Sequence, residues 1–340
     1  MAMKLDFHFY LVYALAERSG FRQLTEDGEK EAYIIAYASQ YVDDNDDGQV
    51  IGSAEEGEPI EEARVETEGA TGLREEVDRY QKFPWAVRVR ETGNFFRPVM
   101  TQTVSLKSFL SIFQRYLFVA FHFLPGDREK IPLIRGRRNP WSTTAHSRNA
   151  ITVLKDALES DDPYRIGAAL HTFADTWSHQ NFSGFNDDWN GGSGLALLPD
   201  IGHAEVGEKP DQISERWTDR RLDVEVRNID RAREATKAIF EWLSKYRPSW
   251  GHSWDEVAEE MEWLLQARDQ DERIERVKGL YPGENLDYDR KRWIEEALEF
   301  DPESGEVVAK EAFLGSHWYR FQCAVQKQLA KTLPLFPEGV

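Results

Sequence analysis

The chain reads as a mainly α protein, a multi-helix bundle with a loop or small β insertion near residues 45–104. Three observations lead there. Apolar residues recur at three- and four-residue spacing through most of the chain. Residues 48–80 are instead charged, Gly-rich and poor in large apolar groups, as in a surface excursion. With 41% hydrophobic residues, 12% aromatics and 11 tryptophans among 340 residues, the chain can fill one large core. The expected organisation is a single domain over 1–340, in which a helical part from 213 to 340 packs on the rest.

In order, residues 5–18 predict a helix, with Leu5, Phe9, Val12, Tyr13 and Ala16 as its apolar positions. Asp6 and His8 sit at its start, and Ser19-Gly20 ends it. A second helix is expected from Thr25, as N-cap, to Tyr41. The acidic run Asp43–Gly48 follows; its spacing does not fit an EF-hand. The run is either a solvated turn or a helix end that points Asp43 or Asp44 into a metal site. Residues 83–103 predict a hairpin, weakened by Pro98. Residues 105–123 predict an apolar helix with His122 in its last turn. A further helix is expected over 142–159, capped by Ser142 or Thr143, and the next starts at Asp161-Asp162-Pro163.

That last helix carries the most informative stretch, Ala168–Gly184. Here His171, Asp175 and His179 recur every four residues. Each step drifts only about 40° around a helix and rises about 6 Å, so all three share one face. Such a face can be a satisfied polar network. However, Leu170, Phe173, Ala174 and Trp177 make the helix apolar, and buried imidazoles and carboxylates need partners. Metal is one such partner. With one cysteine, Cys323, neither an internal disulfide nor a Cys-rich zinc site is available. His203 lies further on among acids, including Glu205, Glu208 and Asp211. His146 is ambiguous, and His252 and His317 read as structural.

Net charge is −19, which argues against a broad nucleic-acid surface or binding to anionic membranes. The one positive cluster, Arg135, Arg137 and Arg138, reads as a solvated loop or a phosphate clamp. No P-loop or dinucleotide-binding fingerprint occurs. No stretch is long and apolar enough to span a bilayer, and the N-terminal region does not read as a signal peptide. The expected location is therefore cytoplasmic.

The order of these residues resembles the zinc-dependent phospholipase C and single-strand nuclease superfamily. The stretches IAYASQYVDD, YRIGAALHTFADTWSHQNFSG and PDIGHAEVGEKPDQ also resemble a bacterial family of unknown function associated with it. The resemblance implies a phospholipase C/nuclease-like helical bundle holding two or three zinc ions. It further implies hydrolysis of a phosphodiester or phospholipid substrate. Asp43 resembles the early Asp, a metal ligand that also orients the attacking water. His122 resembles the histidine that follows it. His171 and Asp175 match the H-x3-D motif, with Asp175 as bridging carboxylate. His179 and His203 would hold a further metal with an acid, for which Glu205, Glu208 and Asp211 are candidates. Secreted members use a free N-terminal Trp amine; this chain begins MAMKLDFHF, so either Asp6, with His8 beside it, is the substitute, or the third metal is absent. The usual acid four residues after the last His is here Gly207, and the insertion between Asp44 and His122 is larger than the pattern. Arg135 or Arg138 would hold phosphate, and Phe182 would supply an apolar or stacking rim. The rival expectation is a metal-stabilised binding module with a protein partner.

Overall fold

The structure is a computed structural model that describes residues 4–46, 86–90, 92–103, 110–191, 201–247 and 251–338. Most of the expected 45–104 insertion lies outside the described residues. Ten helical segments carry the described core. Helix α1 begins as a π-helical stretch, Asp6–Leu11, and continues as an α-helix over Val12–Ser19. Helix α2 spans Glu31–Asp44. It starts six residues later than the sequence suggests. Thr25 instead closes a turn, bonding through its hydroxyl to the Glu29 carbonyl, and Leu24 bridges Lys30.

Helix α3 opens as a short α turn, Ser111–Phe113, and runs on as a π-helix over Gln114–His122. Helix α4 covers Arg148–Glu159 and is capped by Ser147, not by Ser142 or Thr143. Those two residues are held in extended backbone: Ser142 bridges Ser183, and the Thr143 amide donates to the Phe182 carbonyl. Helix α5, Pro163–Ser178, starts where the sequence indicates. The Asp162 carboxylate accepts from the amides of Tyr164 and Arg165, and Pro163 takes the first turn.

The C-terminal part is mainly helical, as expected, but it holds two hairpins that the sequence pattern does not reveal. Strands β3 (Arg216–Asp219) and β4 (Val224–Arg227) pair antiparallel ahead of α6, Asn228–Tyr246. Helices α7 (Trp254–Leu265), α8 (Gln270–Leu280) and α9 (Arg292–Ala297) follow. Strands β5 (Leu298–Asp301) and β6 (Glu306–Ala309) form the second hairpin before α10, His317–Thr332. The expected 83–103 hairpin is present as β1 (Val87–Arg88) and β2 (Phe95–Phe96). Strand β1 runs parallel to β6, giving the order β2-β1-β6-β5.

Helix α5 is the central element. Every residue from Ile166 to Ser178 is buried, with α2, α4, α6 and α10 packed around it. Its closest neighbour is α2. Gly167 makes this possible: a Cβ there would sit 2.7 Å from the Ala38 Cβ and 3.0 Å from the Ser39 amide. The close approach brings the last turns of α2 against the His171 face of α5. No described helix is long and apolar enough to cross a membrane.

Candidate metal centre

Helix α5 contributes His171 and Asp175 from its buried face and His179 from its C-cap. Helix α1 contributes His8 and α3 contributes His122, both from π-helical stretches, a geometry often found at functional sites. Helix α2 contributes Asp43 from its last turn. His203 and Asp211 come from the two short 3-10 turns, Ala204–Val206 and Lys209–Asp211. Three groups result, each with ligand atoms mutually within 4.8 Å: His8, His171 and Asp175; Asp43, His122 and His171; and His179, His203 and Asp211.

Asp175 links the first two groups. Its Oδ1 lies 3.2 Å from His8 Nε2, and its Oδ2 lies 3.2 Å from His171 Nε2 and 3.3 Å from His122 Nδ1. Asp43 Oδ1 stands 3.8 Å from both of the latter nitrogens. The same Asp175 oxygen is 3.6 Å from His179 Nδ1. In the third group, Asp211 Oδ1 is 3.3 Å from His203 Nε2 and 3.6 Å from His179 Nε2.

The far nitrogens determine what these atoms can do. His171 Nδ1 lies 2.8 Å from the Ser39 carbonyl, and His122 Nε2 lies 3.1 Å from the Thr101 carbonyl. His179 Nδ1 lies 2.7 Å from the His122 carbonyl, and His203 Nδ1 lies 2.8 Å from the Gly207 carbonyl. A carbonyl only accepts, so each of these nitrogens carries the ring proton. In the neutral rings, the other nitrogen of all four points a lone pair inward. His171 Nε2 and His122 Nδ1 then face each other at 3.0 Å, with carboxylate oxygens beside them. Tying the distal N–H to a backbone carbonyl is also how metal-bound histidines are oriented.

The protonation energetics agree for His122 but pull the other way elsewhere: burial lowers the His203 pKa, yet Asp211 outweighs it and raises it, as in a charged pair. Burial pushes the His122 imidazole down to about 3, against the pull of Asp175, so that ring is neutral. Burial pushes the Asp43 carboxyl up to about 8, against the pull of His171. Burial also opposes the charge on Asp175, but the surrounding histidines outweigh it and hold the carboxylate well below its ordinary range. Asp43 Oδ1 and both Asp211 oxygens are buried without a hydrogen-bond partner. A cation bound by the three groups would satisfy these acceptors together.

Several sequence expectations are corrected here. Asp6 does not join the cluster: its carboxylate is paired with the buried Arg273 of α8. Among the described side chains, the acid beside His203 is Asp211, one of the three expected candidates. Glu208 pairs with Lys4 at 2.7 Å, and the Glu205 side chain lies outside the described residues. Arg135 and Arg138 do not form a phosphate clamp. Arg135 donates to the carbonyls of Asp188 and Gly191, Arg137 pairs with Asp187 and Asp188, and Arg138 donates to the Ile131 carbonyl. Together they fasten one loop to another. Phe182 is fully buried: its ring meets the edge of His203, and the Arg221 guanidinium lies 3.7 Å above it. It is packing behind the site, not a rim. His317 Nδ1 shares a 2.6 Å hydrogen bond with the Tyr164 hydroxyl and its ring stacks on Trp293, and His146 stacks on Trp177, away from the cluster ligands. Residue types carry no signal for Ser39, Thr101 or Gly207, because their contribution is a backbone carbonyl.

Fold and site together define a mainly helical protein with overlapping His/Asp groups buried at the junction of its helices. The chain belongs to a family of unknown function (DUF6765), which matches residues 3–334. Comparison with curated proteins and with solved structures finds no match.

Proposed function

We propose that this chain is a metal-dependent hydrolase of phosphodiester bonds, phospholipase C-like or nuclease-like, that holds two or three zinc ions. The observation that carries the reading is the meeting of His171 Nε2 and His122 Nδ1 at 3.0 Å, with their protons committed to backbone carbonyls and carboxylates alongside. Imidazole nitrogen mixed with carboxylate oxygen favours zinc over calcium or magnesium. Asp175, with one oxygen toward His8 and the other toward His171 and His122, would serve as the bridging carboxylate. Each group offers at most three protein ligands, and the first two share the single free nitrogen of His171, so coordination positions remain for water or substrate, as in catalytic zinc sites.

Bound zinc would supply an activated water and stabilise charge on the phosphate and leaving oxygens. The chain's own part is to position and to exclude water. Among the described residues of the three groups, Asp43 alone has appreciable exposure, 16% of its side chain, so it stands at the accessible end of the cluster. It is placed to accept a hydrogen bond from an attacking water and orient it. Elemental analysis of protein purified without chelator or nickel resin tests the reading, followed by hydrolysis of bis(p-nitrophenyl) phosphate, phosphatidylcholine and single-stranded DNA. Two or three zinc ions per chain, with hydrolysis lost in His171→Ala, is the expected result. A folded chain that takes up no zinc would end the proposal.

One observation favours a second reading, a metal-stabilised binding module. The five cluster histidines are at most 5% exposed. Stoichiometric zinc without turnover of any of the three substrates would select it.

A further inference from the structure

The expected phosphate clamp at Arg135 and Arg138 is engaged with loop carbonyls, so a cation that assists the metals in holding phosphate has to come from elsewhere. Helix α6 supplies one. Arg231, in its first turn, donates from Nη1 to the Ser178 carbonyl at 3.3 Å. Ser178 lies between Asp175 and His179 at the end of α5, and its hydroxyl is 3.4 Å from Asp175 Oδ1. The guanidinium is thus anchored at the C-terminal end of α5, on the carbonyl of the residue that precedes His179. It also lies over the Trp217 ring at 5.8 Å. Trp217 is itself fixed by its indole N–H bond to Asn228 at the start of α6.

What Arg231 lacks is an anion. Among the described residues, no carboxylate lies within ion-pair distance of it. The nearest acids in its field are engaged elsewhere. Asp219 holds Arg221 through two bonds of 2.9 and 2.6 Å, and Glu234 accepts from the Trp177 indole at 3.2 Å. Burial pulls the Arg231 pKa down to about 10, a cost that Asp219 and Glu234 offset only in part. The guanidinium stays charged at neutral pH, and most of its five donors are not used by the contacts described. A planar fork of that kind suits the oxygens of a phosphate.

We propose that Arg231 is an oxyanion-binding residue of this site, which grips non-bridging oxygens of a phosphate ligand held at the metal cluster. The inference rests on the phosphodiesterase reading and adds a residue that discriminates for anionic phosphorus over neutral substrates. A purely structural role is the alternative, with Arg231 closing the C-terminal end of α5 against its dipole.

The test uses full-length protein loaded with zinc, with inorganic phosphate as the titrant in calorimetry. Zinc content and melting temperature are measured on the same samples. Arg231→Gln is expected to keep its zinc and to weaken phosphate binding roughly tenfold to a hundredfold, the range of charge-assisted hydrogen bonds. Arg231→Lys keeps the charge at the end of α5 but loses the fork, so it should fall between the two. Phosphate affinity equal to wild type in both variants, with zinc intact, would overturn the inference and leave the phosphodiesterase reading standing. If the glutamine variant fails to fold, the lysine variant decides alone by the same comparison. A wild-type chain that takes up zinc but binds no phosphate would overturn the inference. One that takes up no zinc would overturn both.

Discussion

At a pH where the His171 and His122 rings are both neutral, replacing Asp175 by Asn should make the metal-free protein more stable and the zinc-bound protein less so. In the native cluster, Asp175 Oδ2 faces His171 Nε2 at 3.2 Å and His122 Nδ1 at 3.3 Å. The far nitrogen of each ring already donates to a carbonyl, so without a cation three acceptors crowd together. An amide nitrogen in place of that oxygen brings two N–H donors to two lone pairs. At about 1 kcal/mol net for each buried hydrogen bond, the gain is about 2 kcal/mol. With about 2.1 cal/mol/K per residue of unfolding entropy over 340 residues, this raises the melting temperature by about 3 °C. Zinc reverses the order. A native site at a hundredfold excess over its dissociation constant gains about 2.7 kcal/mol, or about 4 °C, and the variant forfeits the bridging ligand. Scanning calorimetry of both proteins, with chelator and with zinc, reads the crossing directly. A variant less stable than wild type in chelator would refute the reasoning. It would mean that Asp175 already accepts imidazole protons in a self-satisfied polar network.

Three further outcomes follow from the same geometry. Asp6→Ala should leave zinc content unchanged while costing about 3–5 kcal/mol in chemical denaturation, because it strands the buried Arg273 charge; loss of zinc would return Asp6 to the ligand set. His203→Ala removes a ligand from the third group alone, so elemental analysis should show about one ion fewer, the ion held with His179 and Asp211, while His171→Ala should cost an ion at the Asp175 end instead. Asp127 carries a pH signature. Burial raises its pKa, but bonds from Arg148 and Lys130 outweigh that and leave it below its ordinary value. Its folded pKa is depressed, so its stabilisation is present above about pH 4 and fades as pH falls through the folded value. The melting-temperature gap between wild type and Asp127→Ala should therefore be constant from pH 7 to 5 and shrink below pH 4. A gap that stays constant down to pH 2 would contradict the assignment.

Much of the helical framework was legible because α5 and α1 declare themselves locally. Asp162-Pro163 is a cap followed by a first-turn proline, and Ser19-Gly20 is a stop. The four-residue rhythm of His171, Asp175 and His179 placed three side chains on one face before any tertiary contact was known. Other features depend on distant partners. The 298–309 hairpin exists because β6 pairs with β1 some two hundred residues earlier in the chain, and four-residue strands leave little alternation to read. The π-helical form of α1 and α3 leaves no mark in apolar spacing, although it sets the direction of His8 and His122. Asp6 misled because an acid beside a histidine at a chain start looks like a ligand pair. Its true partner, Arg273, is on α8 and visible only in three dimensions. The basic run at 135–138 misled for the same reason: its acceptors are carbonyls and acids near residue 188, and a positive patch becomes a neutral fastening.

The least legible part of the site is also the part that decides its chemistry. Four backbone carbonyls choose the tautomers of four histidines, and substituting the side chains of Ser39 or Thr101 would leave those carbonyls in place. Gly207 is the exception. Its backbone sits at φ 67 and ψ −144, a region almost closed to residues with a Cβ, and its carbonyl accepts from His203 Nδ1 at 2.8 Å. Nothing lies within 4 Å of where a Cβ would be, so an alanine there is refused by the backbone and not by neighbours. Gly207→Ala should cost about 1–3 kcal/mol of strain, which the turn can relieve by rotating and withdrawing the carbonyl. The His203 ring is then free to flip or change tautomer, and the third group loses its orienting bond. Losing such an outer partner typically costs tenfold to a hundredfold in metal affinity. Zinc titration should thus show one weakened site beside unchanged ones, with the helical signal intact. Uniform zinc affinity in Gly207→Ala would mean that the carbonyl does not orient His203, and the argument from backbone carbonyls to metal binding would lose its third group.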